Sequence, residues 1–71
     1  MNKVSPKALR QSKWTKANVT NKEKHFVITE VEFDDDQRVI TCVIEAVMNN
    51  NQYSIDWCDL KNKDEWRMGW L

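Results

Sequence analysis

The sequence predicts a small, mainly β domain: a β-rich α+β fold built on a three-stranded antiparallel meander, with a small SH3-like roll as one way of closing it. Its 71 residues are enough for one domain. Three segments are rich in Val, Ile and aromatic residues, which suit a pleated surface. Asp34–Asp36 and Asn49–Asn51 separate these segments, and Asp and Asn can replace glycine in tight loops.

The first element is a basic arm. Residues 1–25 hold seven basic residues and one acidic residue, whereas residues 26–71 hold four basic and ten acidic residues. The net charge of zero therefore divides into +6 and −6. We expect residues 1–12 to form a flexible basic N-terminal arm and residues 13–71 to form a single β-rich domain.

The three predicted strands are Lys24–Phe33, Arg38–Met48 and Gln52–Cys58. Pairing Phe33 with Arg38 and Met48 with Tyr53 gives both hairpins the same apolar face, because side chains alternate across a sheet. The residues predicted for this core face are Val27, Val31, Phe33, Ile40, Cys42, Ile44, Ala46, Met48, Tyr53, Ile55 and Trp57.

The opposite face of the predicted sheet is half apolar, so we expect another segment to cover it. Its apolar residues are Phe26, Ile28, Val43, Val47 and Cys58, and its acidic residues are Glu30, Glu32, Glu45 and Asp56. The arm is the favoured cover, because it would bury Trp14 while its lysines meet the carboxylates. A second candidate is the segment Asp59–Leu71, predicted as a short helix or turn with Trp66 and Trp70 on one side.

Several short motifs carry a family resemblance. They are Ser12–Thr15, Asn21–Phe26, Val43–Val47, Ile55–Trp57 and Trp66-x-x-Gly69-Trp70. In order and spacing they resemble the Trp-rich small bacterial proteins that are classed as a domain of unknown function, from about residue 9 to residue 71. The resemblance implies a small soluble bacterial protein. It transfers no activity and no functional residues.

The composition excludes several classes of function. One glycine and one proline exclude glycine-rich phosphate loops. No apolar run is long enough to span a bilayer or to serve as a signal peptide, so we expect a cytoplasmic protein. Cys42 and Cys58 lack a Cys-x-x-Cys spacing and fall on opposite predicted faces, so we expect no disulfide, metal or cofactor.

Catalysis is not favoured by the ionisable residues. His25 is predicted on the core face, two rows from Cys42, where a buried structural role is more common than nucleophilic catalysis. Glu45 and Asp56 are predicted directly opposite each other, and like charges in that position destabilise a strand pair. Three interpretations stay open: a local error in register, a general acid–base pair, or a cation between the carboxylates. We therefore expect no enzyme activity, with Glu45/Asp56 or Cys58 as the catalytic alternative.

The four tryptophans and the basic arm favour a binding function. The preferred hypothesis is an adaptor module that binds a protein partner near Trp66–Trp70 and the strand edges. The alternative is a module that binds single-stranded RNA through the basic arm and its tryptophan. The candidate binding residues are Lys13, Trp14, Lys16, Lys22, Trp66, Arg67 and Trp70. The expected oligomeric state is a monomer or a weak homodimer.

Overall fold

A computed structural model describes residues 2–20 and 22–71. It contains one antiparallel sheet of five strands: β1 Lys13–Thr20, β2 Glu23–Phe33, β3 Val39–Ala46, β4 Gln52–Ser54 and β5 Trp66–Met68. The strand order across the sheet is β4-β3-β2-β1-β5. Two short 3-10 turns, Pro6–Ala8 and Trp57–Lys61, complete the regular structure, and none of the described residues lies in an α-helix.

The mainly β prediction is confirmed, but the prediction of three strands is wrong. The meander is formed by β2, β3 and β4, and it is extended on the β2 side by β1 and β5. Sequence periodicity did not indicate β1, because within Lys13–Val19 the buried residues are the adjacent pair Trp14 and Thr15, which do not follow a two-residue alternation. The arm that was expected to lie across the sheet is instead hydrogen-bonded within it from Lys13 onward.

The segment Asp59–Leu71 was predicted to form a short helix or turn. The helix is wrong, because the segment contains the end of a 3-10 turn and the strand β5. A 3-10 turn over Trp57–Lys61 begins at Asp56, whose side chain accepts a hydrogen bond from the N–H of Cys58. The chain then forms β5, in which Trp66 pairs with Lys16. Gly69 follows with a φ of 79°, and this left-handed residue directs the chain away from the strand direction.

The β2–β3 register differs from the predicted one from the turn onward, where Phe33 pairs with Val39 rather than with Arg38, and the hairpin also contains two bulges. Ile28 pairs with Ile44 and Glu30 with Val43, which leaves Thr29 as an extra residue in β2. A bulge of one residue reverses the side-chain alternation beyond it. Phe26 and Ile28 therefore enter the core, although they were predicted on the opposite face, and Val27 leaves it.

The second bulge lies near the turn of the same hairpin. Glu32 pairs with Thr41 and Phe33 with Val39, which leaves Ile40 as an extra residue in β3. Ile40 is 63% exposed and Phe33 is 40% exposed, so their assignment to the core face is wrong.

The β3–β4 pairing is displaced by four residues from the predicted one. Ile44 pairs with Tyr53 rather than with Trp57. An even displacement preserves the alternation, so Tyr53 keeps the predicted face although its partner changes. Met48 lies beyond the end of β3 and is 69% exposed, so its assignment to the core face is wrong as well.

The hydrophobic core lies on one side of the sheet, which we call the inner face. Its fully buried residues are Leu9, Trp14, Phe26, Ile28, Cys42, Ile44, Ala46, Leu60 and Trp66. Leu9 precedes the first strand and Leu60 belongs to the second 3-10 turn, so both non-strand segments fold against this face.

The opposite side, the outer face, is partly covered by Gly69–Leu71. The Thr15 hydroxyl donates to the carbonyl of Gly69 at 2.7 Å and accepts from the N–H of Leu71 at 3.0 Å. The Trp70 indole N–H donates to the carbonyl of Phe26 at 2.9 Å. The segment after β5 is therefore one cover of the outer face, and Trp14 packs on the inner side instead of covering it.

Candidate functional site

The main candidate site is an open groove on the inner face with a volume of about 360 Å³. Its lining residues, which define the inner groove, are Lys16, Glu23, Phe26, Ile44, Tyr53, Ser54, Ile55 and Trp66. Tyr53 belongs to the edge strand β4 and Trp66 to the opposite edge strand β5. The groove therefore brings together residues that are distant in sequence, with the Phe26 ring between those of Tyr53 and Trp66.

Aromatic rings form the apolar walls of the inner groove. Phe26 packs edge-on against Trp66 with ring centroids 5.1 Å apart, and its ring lies 6.5 Å from that of Tyr53. Phe26 and Trp66 are buried, whereas Tyr53 is 39% exposed. The floor is therefore rigid core, and the rim on the β4 side is accessible to a ligand.

A lysine occupies the β5 side of the inner groove. The Nζ atom of Lys16 lies 5.3 Å from the centroid of the Trp66 ring, because the two residues are cross-strand partners. This arrangement is a cation–π contact, in which the ring face attracts the ammonium group. It holds a half-buried positive charge against an apolar wall.

A buried carboxylate lies at the other end of the groove. Glu23 is only 4% exposed, and its oxygens accept hydrogen bonds from the Tyr53 hydroxyl at 2.8 and 2.9 Å and from the Asn51 amide at 3.2 Å. The Tyr53 hydrogen bond lowers the pKa of Glu23 from its ordinary value and outweighs the opposing effect of burial. Hydrogen bonds from Asn49 and Asn51 and the charge of Lys16 lower it further.

The same hydrogen bond raises the pKa of the Tyr53 hydroxyl, and burial adds to the increase. At neutral pH the groove therefore holds an ionised Glu23 and a neutral Tyr53. Neither group has a pKa moved toward neutrality, which is where a general acid or base works best. The arrangement can bind and orient a ligand.

A second cluster surrounds Trp70 on the outer face. The Nζ atom of Lys13 lies 4.8 Å from the Trp70 ring centroid, and the ring of His25 lies 5.9 Å from it. His25 Nε2 is 2.9 Å from the carbonyl oxygen of Leu71. Trp70 is 44% exposed, in contrast to the buried Trp14 and Trp66. His25 thus lies on the outer face, and its predicted place on the core face is wrong.

The predicted binding residues divide between these two clusters and the core. Lys16 and Trp66 meet in the inner groove, whereas Lys13 and Trp70 meet on the outer face. Trp14 is only 3% exposed, and its indole N–H donates to the Ser12 hydroxyl. A buried Trp of this kind contributes packing rather than ligand contact.

The two remaining predicted residues are both exposed. Arg67 pairs with Thr15 across β1 and β5, and Lys22 lies in the β1–β2 turn with a φ of 61°. Their side chains are accessible, but neither lines the inner groove.

The predicted pairing of Glu45 with Asp56 does not occur. Glu45 pairs with Gln52, while Asp56 lies beyond β4 at the start of a 3-10 turn. Glu45 accepts from the Gln52 amide at 2.9 Å and from the Asn50 amide at 3.0 Å, and these bonds lower its pKa. The local register was wrong, so the acid–base pair and the bridging cation have no structural basis.

Cys42 is buried and Cys58 is exposed, and both are free thiols. Burial raises the pKa of the Cys42 thiol, and the negative charge of Asp56 raises it further. In the described part of the chain, no three His, Cys, Asp or Glu side chains are grouped so that they could hold a metal ion. Within the same residues, no helix has the length and apolar character needed to cross a membrane.

Glu23 and Tyr53 were not among the site residues predicted from the sequence. Glu23 is the single acidic residue among the first 25 and looked like part of a charged arm. Tyr53 had been placed on the core face, but its hydroxyl needs a polar partner when it is partly buried. The available signals were separate: a tyrosine two residues after three consecutive asparagines, and a single acidic residue among the otherwise basic first 25.

Comparison with known proteins identifies a family for this chain. The sequence profile of a family described as "Tryptophan-rich protein (DUF2389)" matches residues 12–71. No curated protein and no solved structure matches the sequence significantly.

Proposed function

The chain belongs to the tryptophan-rich family DUF2389, and from the inner groove we propose that it is a non-catalytic module that binds an extended segment of a protein partner. The observation that carries the proposal is the groove itself, where aromatic walls and a half-buried lysine lie beside the exposed edge strand β4. An edge strand offers backbone hydrogen bonds to an extended peptide, and adjacent pockets select its side chains.

The charges of the groove favour one kind of partner segment. Glu23 already accepts hydrogen bonds from Tyr53 and Asn51, so its charge is largely satisfied within the protein. The ammonium group of Lys16 contacts the face of Trp66, and its charge is available to a carboxylate that enters the groove. The segment that fits best therefore carries an apolar side chain for the aromatic walls and an acidic side chain for Lys16.

Selection from a phage library of random dodecapeptides tests this proposal. We expect selected peptides to be enriched in an acidic residue next to an apolar residue, and their binding to perturb the amide signals of Tyr53 and Ile55. Lys16→Glu should weaken these peptides about tenfold or more, because it reverses the charge they contact. The exposed Lys63 lies outside the groove, so Lys63→Glu is the matched control and should leave affinity unchanged.

The same selection experiment has two outcomes that would contradict a peptide site in the inner groove. If no peptide family is enriched, or if the selected peptides bind the Lys16→Glu and Lys63→Glu variants equally well, the inner groove is not a peptide site. Thermal unfolding of both variants verifies that they are folded before their affinities are compared.

Single-stranded RNA is the second candidate ligand, and the outer-face cluster is the observation that favours it. The exposed Trp70 ring and the nearby Lys13 supply a stacking surface and a positive charge, the two components of sequence-tolerant binding to single strands. A labelled oligouridylate should then bind at low salt, with an affinity that falls steeply as potassium chloride is added. Lys13→Glu should weaken that binding, and an unchanged anisotropy at the lowest salt would eliminate this candidate.

A further inference from the structure

Strand β3 is longer than the edge strand beside it. β4 pairs only with Val43–Glu45, and beyond it the N–H of Ile55 donates to the carbonyl of Cys42 at 2.9 Å. The chain then departs into the turn that begins at Asp56. Among the described residues, Val39–Thr41 is therefore paired with β2 on one side and has no neighbouring strand on the other.

A groove of about 300 Å³ runs beside this uncovered part of β3. Its lining residues, which define the edge groove, are Val39, Ile40, Thr41, Cys42, Ile55, Asp56 and Trp57. Ile40 is 63% exposed, so a β-branched side chain is available at the centre of the uncovered segment. The edge groove is separate from the inner groove, although Ile55 lies between them and lines both.

The surroundings of the edge groove are acidic. Asp56 lines it, Glu32 is the cross-strand partner of Thr41, and Asp34–Asp36 forms the turn just before β3. These five carboxylates outnumber the basic side chains of this end of the molecule. Those bases are Arg38 in the turn, Lys61 over the Trp57 ring at 4.6 Å, and Lys7 near Phe33.

We propose that a basic, extended segment of a partner protein adds beside Val39–Thr41 as a further strand of the sheet. A strand edge gives an extended peptide its backbone hydrogen bonds, and the surrounding carboxylates select lysine and arginine side chains. A second copy of this chain fits less well, because it would bring a second set of these carboxylates to the same edge.

The proposal goes beyond the peptide site in the inner groove and does not depend on it. Together the two grooves would give the module two docking surfaces. Because one prefers an acidic segment and the other a basic one, they would select different partner proteins.

A fluorescein-labelled peptide of alternating lysine and valine is the probe for the edge groove. We expect saturable binding in anisotropy titrations, weakened by salt, with amide signals perturbed at Val39–Cys42. Ile40→Lys should weaken binding about tenfold, because it places a like charge at the centre of the edge. Ile40→Thr keeps the β-branched shape without a charge and should retain the affinity.

Two control peptides separate strand addition from simple charge attraction. A peptide of alternating glutamate and valine keeps the β-propensity and reverses the charge, and it should not bind. A peptide of alternating lysine and proline keeps the charge but lacks half of the backbone N–H groups, and it should bind at least about tenfold more weakly.

Three results would overturn the proposal. They are equal binding of the lysine–proline peptide, binding of the glutamate peptide, and perturbed amides at Tyr53 and Trp66 instead of at Val39–Cys42. The variant Lys16→Glu distinguishes the two grooves: it should weaken peptide binding in the inner groove about tenfold or more and leave the affinity of the lysine–valine peptide unchanged.

Discussion

Several turns depend on single residues with left-handed backbone angles. Asn50 has a φ of 62° in the loop before β4, and Gln37 has a φ of 66° in the loop before β3. The sequence prediction that Asn replaces glycine in the first of these loops is confirmed at Asn50. In the loop before β3, the left-handed residue is Gln37 rather than an Asp. There Asp34 instead accepts backbone hydrogen bonds from Asp36 and Arg38.

Gly69 belongs to the segment that covers the outer face, and its left-handed backbone makes substitution there destabilising. A Cβ atom there would meet nothing within 4 Å, so the cost of Gly69→Ala is one of backbone conformation alone. Because Gly69 has a φ of 79°, we expect Gly69→Ala to lower the free energy of unfolding by about 1–2 kcal/mol. Urea unfolding measures it. Gln37→Gly is the reciprocal control and should not lower stability, since it relieves the same conformation; a tolerated Gly69→Ala would contradict this account.

Two glutamates organise the loop between β3 and β4 from opposite sides of the sheet. Glu45 accepts from Asn50 and Gln52, and Glu23 accepts from Asn51 and Tyr53. Ionised carboxylates bind these donors more strongly than protonated ones, which is why both pKa values are lowered. The loop that borders the inner groove is therefore held by charge-assisted hydrogen bonds.

The lowered pKa of Glu23 predicts a specific pH dependence of stability. A carboxyl group whose folded pKa is depressed stabilises the fold above its unfolded pKa, near 4.5, and loses that contribution as pH falls through the folded value. Glu23→Gln should therefore lower the urea midpoint at about pH 7, and the difference from the unmodified protein should shrink at about pH 3. The exposed Glu65 lies outside this loop, so Glu65→Gln is the matched control. A difference that grows in acid would refute the assignment.

At the scale of the elements, the sequence predicted the strands of the hairpins better than their pairing. The apolar segments and the loops between them located β2, β3 and β4 because β-branched and aromatic residues concentrate there. Alternation alone could not reveal the bulges at Thr29 and Ile40, since a bulge depends on which residue stays unpaired in three dimensions. One unrecognised bulge was enough to place Phe26 and Ile28 on the wrong face.

The bulge at Thr29 makes a prediction about deletions in β2. Removing Thr29 would join Ile28 directly to Glu30, and both residues could keep their partners Ile44 and Val43. The inner face would stay inward, so we expect a folded protein that is destabilised by about 1–2 kcal/mol. Removing Val27 instead would reverse the direction of Phe26 and should prevent folding.

Dispersed amide spectra and cooperative urea unfolding distinguish these two deletions. Both proteins are one residue shorter in the same strand, so chain length cannot account for a difference between them. A folded protein without Val27, or an unfolded one without Thr29, would show that the register of this hairpin is not as described.

The candidate site was predictable only in part because it joins distant elements. Lys16 and Trp66 were both predicted as binding residues, but their contact depends on the pairing of β1 with β5, which no local pattern indicates. Glu23 and Tyr53 belong to strands that are not neighbours in the sheet. They meet across the intervening strand β3, and no local pattern in either segment indicates that contact.

At the scale of the whole molecule, the division of charge along the sequence does not correspond to a separate arm and body. The basic half contributes β1 and the start of β2 to the sheet, and the acidic half supplies β3, β4 and β5. Lys13 and Lys16 extend from opposite sides of β1, each toward the face of a tryptophan from the acidic half. The basic and acidic halves of the chain are therefore joined by strand pairing within one sheet, as expected of a neutral chain that folds as one unit.

The core makes the segment before β1 important for global stability. Leu9 is only 1% exposed and belongs to the same cluster as Trp14 and Ile28. Nearby, the N–H of Gln11 donates to the carbonyl of Ile28 at 2.8 Å, and the N–H of Ile28 donates to the carbonyl of Ser12 at 3.0 Å. A core of this size has little redundancy, because a short chain buries a smaller fraction of its surface than a large one.

Leu9→Ala should consequently destabilise the whole domain. A buried Leu→Ala change costs about 2–5 kcal/mol, and a chain of this length has a total stability of about 4–11 kcal/mol. We expect the thermal midpoint to fall sharply and the Trp fluorescence and backbone signals to change together, as in a single cooperative transition. Leu71 is 66% exposed, so Leu71→Ala is the matched control and should have little effect. If Leu9→Ala were as stable as Leu71→Ala, the residues before β1 would lie outside the cooperative unit, as a flexible arm over residues 1–12 requires.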